Sequence, residues 1–432
     1  MFQTFTYNIN TSLPEINIHT LNNRYKNVCL FDSNKRANNN KHTLQSKLIA
    51  IGAAQELIIK NETNALRQLQ SFYDQNKGWL FGYLSYDLKN EIENLNSTNP
   101  DGLHFPLLHF FVPEVVIEFK DDVAIVYYND NAISKTTAEE MLQLAFSKPS
   151  PHRASETHAT IKSRITQQQY IDTVNQLKKH ILRGDIYEVN FCQEFFDNSA
   201  SIDPVSIFEK LNAISEAPFA AFCKFDSHYI LSSSPERFLK KQGTTLISQP
   251  IKGTTRRSGN KTEDDELKTR LRNNLKEQNE NVMIVDLVRN DLSRIAKKGS
   301  VQVDELFGVY SFKQVHQLIS TVSCELKENY SFTEILQATF PMGSMTGAPK
   351  VRAMQLIEES ESMQRGVYSG AIGYIAPNGD FDFSVVIRSI LYNATNHYLS
   401  FMVGSAITAK ADAAAEYEEC LLKAKAMFEV LA

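Results

Sequence analysis

The chain has 432 residues and a mass of 49.0 kDa, a length that suggests two modules or one large interleaved unit. Hydrophobic residues make up 42% of it and charged residues 22%, which is enough apolar material for a sizeable core and excludes disorder as the main state. The formal net charge is -5, so no global basic field exists and a dedicated nucleic-acid binder is not indicated.

The cysteines and the apolar segments indicate the compartment. Five cysteines lie far apart and form no C-x-x-C pair, which favours reduced thiols over a disulfide framework or a zinc site. No stretch approaches about 18 consecutive apolar residues. The first residues also lack the basic and apolar regions of a secretion signal. We therefore expect a cytoplasmic protein that does not span a membrane.

Composition divides the chain into two parts. Residues 147–163 are rich in Pro, Ser, Thr and His without apolar periodicity, and we interpret them as a linker. The linker separates an N-terminal region, residues 1–146, from a larger C-terminal region, residues 164–432. In the N-terminal region, residues 78–88 are rich in aromatic residues, which is typical of a strand. Residues 112–128 read as a hairpin divided at Asp121 and Asp122.

The C-terminal region opens with a helix signal, a Thr166–Gln169 capping box with Gly184 as its stop. Residues 264–296 read as one long or broken helix. Three further signals follow: a helix starting at Pro349, a hairpin around residues 377–379 and a strand over residues 397–408. A last helix begins near Asp412. Helices and hairpins alternate without βαβ regularity, so we predict an α+β fold of large, mostly antiparallel sheets flanked by helices.

Two residues are candidates for covalent and acid catalysis. Lys252 stands between an apolar residue and a glycine, and burial there would lower its pKa toward neutrality and make the amine a nucleophile. An exposed lysine at a strand end is the simpler alternative. Glu236, between a proline and an arginine, could be a protonated general acid. A surface Glu–Arg turn is at least as compatible with that pattern.

Three glutamates are candidates for a metal site. Glu416 and Glu419 share a helix face, and Glu280 lies where a polar helical segment becomes apolar. Mg²⁺ takes oxygen ligands, often one or two carboxylates with water and substrate oxygens. For Glu419, an ordinary ion pair with Lys423 is the alternative.

Residues 340–350 combine glycines and hydroxyl groups before a helix start, an arrangement whose free N–H groups suit an anion. Ala348 stands where a phosphate-binding P-loop needs its second glycine, so nucleotide binding is rejected. Arg388 would point to the same strand face as Asp382 and either clamp a carboxylate or pair with Asp382. Gly404 would either admit a ligand to the backbone or mark a bulge.

Nine ordered motifs resemble the chorismate-utilising enzymes over the chain from about Thr166 to the C-terminus. They are GDIYEVNF (184–191), SSSPERF (232–238), PIKGT (250–254), ENVMIVDLVRNDL (280–292), FPMGSMTGAPK (340–350), RGVYSGAIGY (365–374), VVIRS (385–389), VGSAIT (403–408) and AEYEECLLKAKAM (415–427).

The resemblance implies a site and a reaction. Chorismate would bind with Mg²⁺ held by the metal candidates Glu280, Glu416 and Glu419. Its other carboxylate would meet three substrate-binding groups, namely Arg388, Tyr368 and the backbone near Gly404. Donors would come from Ser344, Thr346 and the helix start, and Thr254 of the PIKGT motif joins this set. Lys252 would attack C2 while Glu236 protonates the leaving C4 hydroxyl, and ammonia would then add at C4 to form 4-amino-4-deoxychorismate.

The resemblance also implies partners and leaves alternatives open. Ammonia would come from a separate glutamine amidotransferase subunit, and residues 30–33 resemble part of a tryptophan site, so a bound tryptophan is possible. Glu188 departs from the glutamine of many relatives, and Gln317 stands where relatives often have histidine, with His316 adjacent but pointing elsewhere. An anthranilate-forming enzyme and a non-catalytic chorismate-binding subunit therefore remain as alternatives.

Overall fold

The computed structural model describes residues 2–9, 16–34, 47–60, 63–120, 123–148 and 157–432, which form 22 strands and 11 α-helices. The strands are β1 Phe2–Asn8, β2 Asn27–Asp32, β3 Lys47–Ile51, β4 Gln55–Ile59, β5 Leu80–Leu84, β6 Leu108–Val112, β7 Val115–Lys120, β8 Val123–Asn129, β9 Lys162–Ser163, β10 Glu188–Asp197, β11 Phe219–Phe225, β12 His228–Ser234, β13 Arg237–Gln242, β14 Thr245–Gln249, β15 Ile251–Arg256, β16 Gln302–Ser311, β17 Val315–Glu325, β18 Gly347–Ala348, β19 Ala371–Ile375, β20 Phe381–Val385, β21 Ser389–Asn393 and β22 Tyr398–Thr408. The helices are α1 Ile18–Arg24, α2 Ala65–Gln75, α3 Lys89–Ile92, α4 Lys135–Ala145, α5 Gln167–Arg183, α6 Pro204–Ser215, α7 Lys261–Arg272, α8 Leu275–Ser293, α9 Phe332–Thr339, α10 Lys350–Ser360 and α11 Ala413–Leu431. Within the described ranges, no helix has the length and apolar character needed to cross a membrane.

Two large antiparallel sheets organise the molecule, which confirms the predicted α+β class. The first has 12 strands in the order β1-β8-β7-β3-β2-β11-β12-β21-β22-β10-β18, with β9 paired to β10. The second has ten strands in the order β15-β17-β14-β13-β20-β19-β5-β6-β4, with β16 paired to β17.

Strands from before the predicted linker extend both sheets. In the 12-stranded sheet β2 pairs with β11, and in the ten-stranded sheet β5 pairs with β19. The change in composition at residues 147–163 therefore does not divide the sheets, because strands from both sides of it pair within each sheet. Residues 149–156 of the predicted linker lie outside the described residues.

Most local signals correspond to observed elements. The Thr166–Gln169 capping box and the left-handed Gly184 bound α5, and Asp412 caps α11. The predicted hairpins are β7–β8, whose turn at Asp121 and Asp122 lies outside the described residues, and β19–β20. The segment 264–296 is a broken helix, because the Asn274 side chain caps a new helix, α8.

Side-chain alternation along the strands assembles two cores. Cys29 of β2 packs in the core shared by the two sheets, whereas its neighbour Leu30 packs in the core between the 12-stranded sheet and helices such as α4, α5 and α11. Successive residues of a strand point to opposite faces, so one strand supplies both cores. All five cysteines are buried, and none of them forms a disulfide in the described structure.

A buried ion pair joins two central strands of the ten-stranded sheet. The Arg237 guanidinium donates to both carboxylate oxygens of Asp382 at 3.0 and 3.1 Å, and it also donates to Gln249. Arg237 is 2% exposed and Asp382 is 5% exposed. The partner of Asp382 is therefore Arg237 and not Arg388, which corrects one of the two alternatives for Arg388.

Replacing Asp382 by alanine is expected to lower the free energy of unfolding by about 3–5 kcal/mol, because it leaves the Arg237 charge buried without its counterion. Urea unfolding followed by circular dichroism measures this loss. The double variant Arg237→Met/Asp382→Leu removes both charges and is expected to recover much of the stability. Equal losses in the single and double variants would contradict the explanation.

Candidate active site

A cavity of about 820 Å³, including the part open to solvent, lies where α8 and α11 meet strands of both sheets. Its walls come from the corner between β12 and β13, from β15, β17 and β22, and from the segment between β20 and β21. The residues predicted from the sequence that line it are Glu236, Lys252, Thr254, Glu280, Ser344, Tyr368, Arg388, Gly404, Glu416 and Glu419.

Lys252 lies near the start of β15 and is 9% exposed, so it is buried and not the solvated lysine of the simpler alternative. Its ammonium nitrogen is 2.8 Å from Oε1 of Glu188, on β10 of the other sheet. Glu188 is 1% exposed. The ion pair therefore spans the two sheets and holds the amine at the cavity wall.

The predicted fall in the pKa of Lys252 is wrong. Burial alone lowers this pKa, but the carboxylates of Glu188 and then Glu280 outweigh burial, and the pKa of Lys252 is raised. The sequence pattern showed the apolar flanks of the lysine but not the acidic neighbours, which belong to distant segments. The amine is accordingly an ammonium in the resting site, and a nucleophilic role requires a proton acceptor.

Glu236 lies in the corner between β12 and β13 and is 4% exposed. Burial raises the pKa of its carboxyl group to about 7, although Ser344 and Lys252 act in the opposite direction. The Ser344 Oγ atom is itself buried without a well-formed hydrogen bond. A carboxyl group that keeps its proton near neutral pH suits the general acid predicted for Glu236.

The three candidate metal ligands, Glu280, Glu416 and Glu419, all line the cavity, and one lysine forms ion pairs with two of them. The Lys276 ammonium donates to Glu416 at 2.9 Å and lies 3.8 Å from Glu280. Glu280 has one buried oxygen without a hydrogen bond, and burial raises its pKa to about 8. No cluster of three or more His, Cys, Asp or Glu in the described part of the chain is positioned to hold a metal. The Glu280 oxygen without a hydrogen bond is the acceptor that a metal ion could use here, with water and substrate oxygens as further ligands.

The ion pair between Glu419 and Lys423, which was the alternative to a metal-binding role for Glu419, is also present, at 2.7 Å. Burial raises the pKa of Glu419, but Lys423 outweighs this and the pKa is lowered. Lys423 also donates to the Gly404 carbonyl at 2.9 Å. Sequence reasoning missed Lys276 as an ion-pair partner of Glu280 and Glu416, although its position four residues before Glu280 on one helix was a usable signal.

Arg388 does not lie on the strand face that alternation predicted, because β20 ends at Val385. It adopts a left-handed conformation with φ 53°, and this corner turns it into the cavity. Among the described residues its guanidinium has no hydrogen bond or ion pair, and burial lowers its pKa. Tyr368 lines the same cavity, and its hydroxyl group lies 3.7 Å from the Cys192 sulfur. An unpaired guanidinium beside a phenol is well suited to a carboxylate ligand.

Gly404 lies in regular β22 directly opposite Cys192, so the bulge alternative is wrong. A Cβ atom at Gly404 would come within 2.4 Å of the Cys192 sulfur and 2.9 Å of the Phe191 carbonyl oxygen. The glycine is therefore required by the neighbouring strand. Its backbone still lines the cavity, in agreement with the other alternative.

Only part of the 340–350 segment reaches the cavity. Ser344 and Met345 line it, whereas Thr346 is fully buried and donates its hydroxyl to the Met342 and Gly343 carbonyls. The Thr346 side chain therefore caps its own turn, which corrects its predicted role as a donor to substrate. The start of α10 at Lys350 is likewise outside the cavity lining, so its N–H groups are not anion donors there.

His316 and Gln317 are neighbours on β17, and their side chains point in different directions. The His316 ring contacts Asp264 of α7 at 2.9 Å and Ser311 at 2.8 Å, and it is fully buried away from the cavity. Gln317 lines the cavity and donates weakly to Thr254 at 3.4 Å. The expectation that His316 would point elsewhere is confirmed.

An enzyme that acts on a small anionic molecule is the class of protein that this fold and cavity define, because a buried amine, a protonated carboxyl group and an unpaired guanidinium converge on one space. Residues 26–429 match the family of chorismate binding enzymes, and the chain belongs to that family.

Individual relatives agree with this membership. Aminodeoxychorismate synthase component 1 of Escherichia coli (strain K12) is 34% identical over 359 residues, covering 82% of this chain and 77% of that protein. The protein of the same name from Bacillus subtilis (strain 168) is 33% identical over 365 residues, with the same coverages. The crystal structure of anthranilate synthase component I from Streptococcus pneumoniae TIGR4 superimposes with a TM-score of 0.78 at 27% identity, covering 90% of this chain and 94% of that one.

Proposed function

We propose that the protein converts chorismate and ammonia to 4-amino-4-deoxychorismate, as component I of an aminodeoxychorismate synthase in the route to p-aminobenzoate and folate. The observation that carries the proposal is Lys252, which is buried in the wall of the cavity that Glu236 also lines. Relatives named aminodeoxychorismate synthase, at 33 to 36% identity, support it.

Substrate binding is assigned to the polar groups of the cavity. The Arg388 guanidinium and the Tyr368 hydroxyl would bind one chorismate carboxylate, with the Gly404 backbone and Thr254 beside them. Glu280, Glu416 and Glu419 would hold Mg²⁺ next to the other carboxylate. When bound, the ion would neutralise negative charge and polarise the substrate toward loss of hydroxide.

The residues of the chain divide the substitution into two steps. The neutral amine of Lys252 forms a bond to C2 while the ring double bond shifts and the C4–O bond breaks, and Glu236 donates the proton that releases water. Ammonia then forms a bond to C4, the double bond shifts back and the C2–N bond to Lys252 breaks. The proton from the new ammonium group returns to Glu236. The net change is chorismate plus ammonia to aminodeoxychorismate plus water, and the covalent route replaces one difficult step by two easier ones.

Ammonia is proposed to come from a glutamine amidotransferase subunit. Relatives carry the name component 1, which implies a second component. Size-exclusion chromatography with such a subunit tests the association.

A second cavity of about 430 Å³ is proposed to bind tryptophan. It is lined by Phe31, Asp32 and Ser33 of the segment that resembles a tryptophan site, together with Tyr374 and Asp382. The aromatic wall suits an indole ring. Calorimetric titration with tryptophan tests the proposal, and the absence of binding heat would exclude it.

One incubation separates the candidate functions. Purified protein with chorismate, Mg²⁺ and an ammonium salt is expected to yield a product that becomes p-aminobenzoate only after addition of a lyase. Anthranilate synthase activity, favoured by relatives that bear that name, would instead give fluorescent anthranilate directly. Chorismate binding without turnover would identify a non-catalytic subunit.

A further inference from the structure

We propose that Glu188 is the proton acceptor for Lys252: its carboxylate holds the ammonium at the cavity wall and takes one proton from it before the neutral amine attacks. The inference rests on the proposed function, because it assigns a partner to the same nucleophile. The proton first moves from the Lys252 nitrogen to a Glu188 oxygen, and the lone pair that this frees then forms the C2–N bond. It returns when the lysine leaves.

Geometry supports this assignment. Glu188 Oε1 lies 2.8 Å from the Lys252 nitrogen, and the Glu188 side chain is 1% exposed. Neither Glu188 oxygen has a hydrogen bond of good geometry, and Lys252 is its ion-pair partner within the described residues. A buried carboxylate with unfilled acceptor capacity, directly beside the reacting nitrogen, can take up a proton without help from solvent.

The need for an acceptor follows from the charge of the amine. Glu188 and Glu280 raise the pKa of Lys252 in spite of its burial, so the resting nitrogen carries a proton and has no lone pair for attack. Glu236 is unsuitable as the acceptor because it must hold a proton for the leaving hydroxyl group. The other charged groups around Lys252 and these carboxylates are Arg388, between β20 and β21, and six residues of α8 and α11, namely Lys276, Glu277, Glu280, Glu416, Glu419 and Lys423.

The backbone fixes the two partners independently. Glu188 begins β10, where it is paired with Thr408 of β22 and Ala348 of β18, and Lys252 belongs to the ten-stranded sheet. Each side chain is thus anchored by its own sheet. A merely structural ion pair would have the same anchoring, so the test must follow the proton.

The experiment compares wild-type protein with Glu188→Gln, which keeps the shape of the side chain but cannot take up a proton. With Mg²⁺ and chorismate but no ammonium, rapid quenching and mass spectrometry follow the covalent chorismate adduct on Lys252 from pH 6 to pH 8. Near pH 7 the variant is expected to form the adduct about 100- to 10,000-fold more slowly, the range for loss of a general base. The ratio of variant to wild-type rate is expected to rise about tenfold per pH unit. In the variant, the Lys252 ammonium must lose its proton to solvent before attack, and the fraction that has done so grows about tenfold with each pH unit. Titration of Glu236 is common to both proteins and cancels in this ratio.

Two further variants complete the design. Glu194→Gln is the matched control, since Glu194 is a buried carboxylate on the same strand that pairs with Arg164 at 2.8 Å, outside the cavity lining. Its rate ratio is expected to stay constant with pH. Glu188→Asp keeps a carboxylate and is expected to lose less than about tenfold, which allows a decision if Glu188→Gln does not fold.

The possible results distinguish failure of the covalent route from failure of the role proposed for Glu188. A wild-type protein that turns over chorismate without ever forming an adduct on Lys252 would overturn the covalent route itself. An adduct that forms in Glu188→Gln at the wild-type rate, or with a rate ratio that does not change with pH, would overturn the role of Glu188 alone. Equal slowing in Glu188→Asp and Glu188→Gln would also count against proton acceptance.

Discussion

Replacing Lys252 by methionine is expected to slow formation of 4-amino-4-deoxychorismate at least about 1,000-fold, because the variant lacks the atom that bonds to C2. Chorismate should still bind, since Arg388, Tyr368 and the glutamates line the cavity independently of the lysine. The rate is measured with saturating ammonium and Mg²⁺, coupled to a lyase that releases p-aminobenzoate. Binding of chorismate is measured separately by calorimetry.

The controls address folding and specificity. Lys252→Met leaves Glu188 buried without its counterion, so the double variant Lys252→Met/Glu188→Gln is the version to use if the single variant is unstable. Lys241→Met is the matched control, because Lys241 belongs to β13 of the same sheet, donates to the Gly379 carbonyl at 3.2 Å and does not line the cavity. It is expected to remain active. Full activity of Lys252→Met would rule out the covalent route.

Replacing Glu236 by glutamine is expected to slow turnover by about 100- to 10,000-fold, because the leaving hydroxyl group loses its proton donor. In the wild-type protein burial raises the pKa of Glu236 to about 7. The carboxyl group is therefore protonated below this pH, and activity should fall as the pH rises through about 7. Measuring kcat/KM between pH 5.5 and pH 8.5 shows whether this fall is present.

In Glu236→Gln, the residual activity should not show that fall, since glutamine does not titrate. Glu118→Gln serves as a control: Glu118 belongs to β7, accepts a hydrogen bond from Tyr127 at 2.9 Å, does not line the cavity and is expected to keep the wild-type profile. A fall near pH 7 that persists unchanged in Glu236→Gln would assign the titration to another group and refute the proposed acid.

Local chemistry made several elements predictable. The capping box at Thr166, the glycine stop at Gly184 and the hairpin around residues 377–379 depend on neighbours in sequence, and all three are observed. Alternating apolar residues also indicated antiparallel strands. These features need only a few adjacent residues to form, so a single sequence contains them.

The candidate site was predictable in part. Glu236, Lys252 and the three glutamates were singled out from local patterns and a family resemblance, and the structure brings all five to one cavity. Thr346 was assigned wrongly because a hydroxyl group near a helix start can equally bond its own turn, as it does here. Periodicity also misplaced Arg388, since the strand ends three residues earlier.

The sequence by itself determined those helices and strands whose signals are local, and it singled out residues with the chemistry for amine attack and proton donation. Only the tertiary structure decided the charge state of the amine and the shape of the site. Glu188 lies 2.8 Å from Lys252 although the two are far apart in the chain and belong to different sheets. Electrostatic interactions depend on distance through space, and that distance is set by how the two sheets pack.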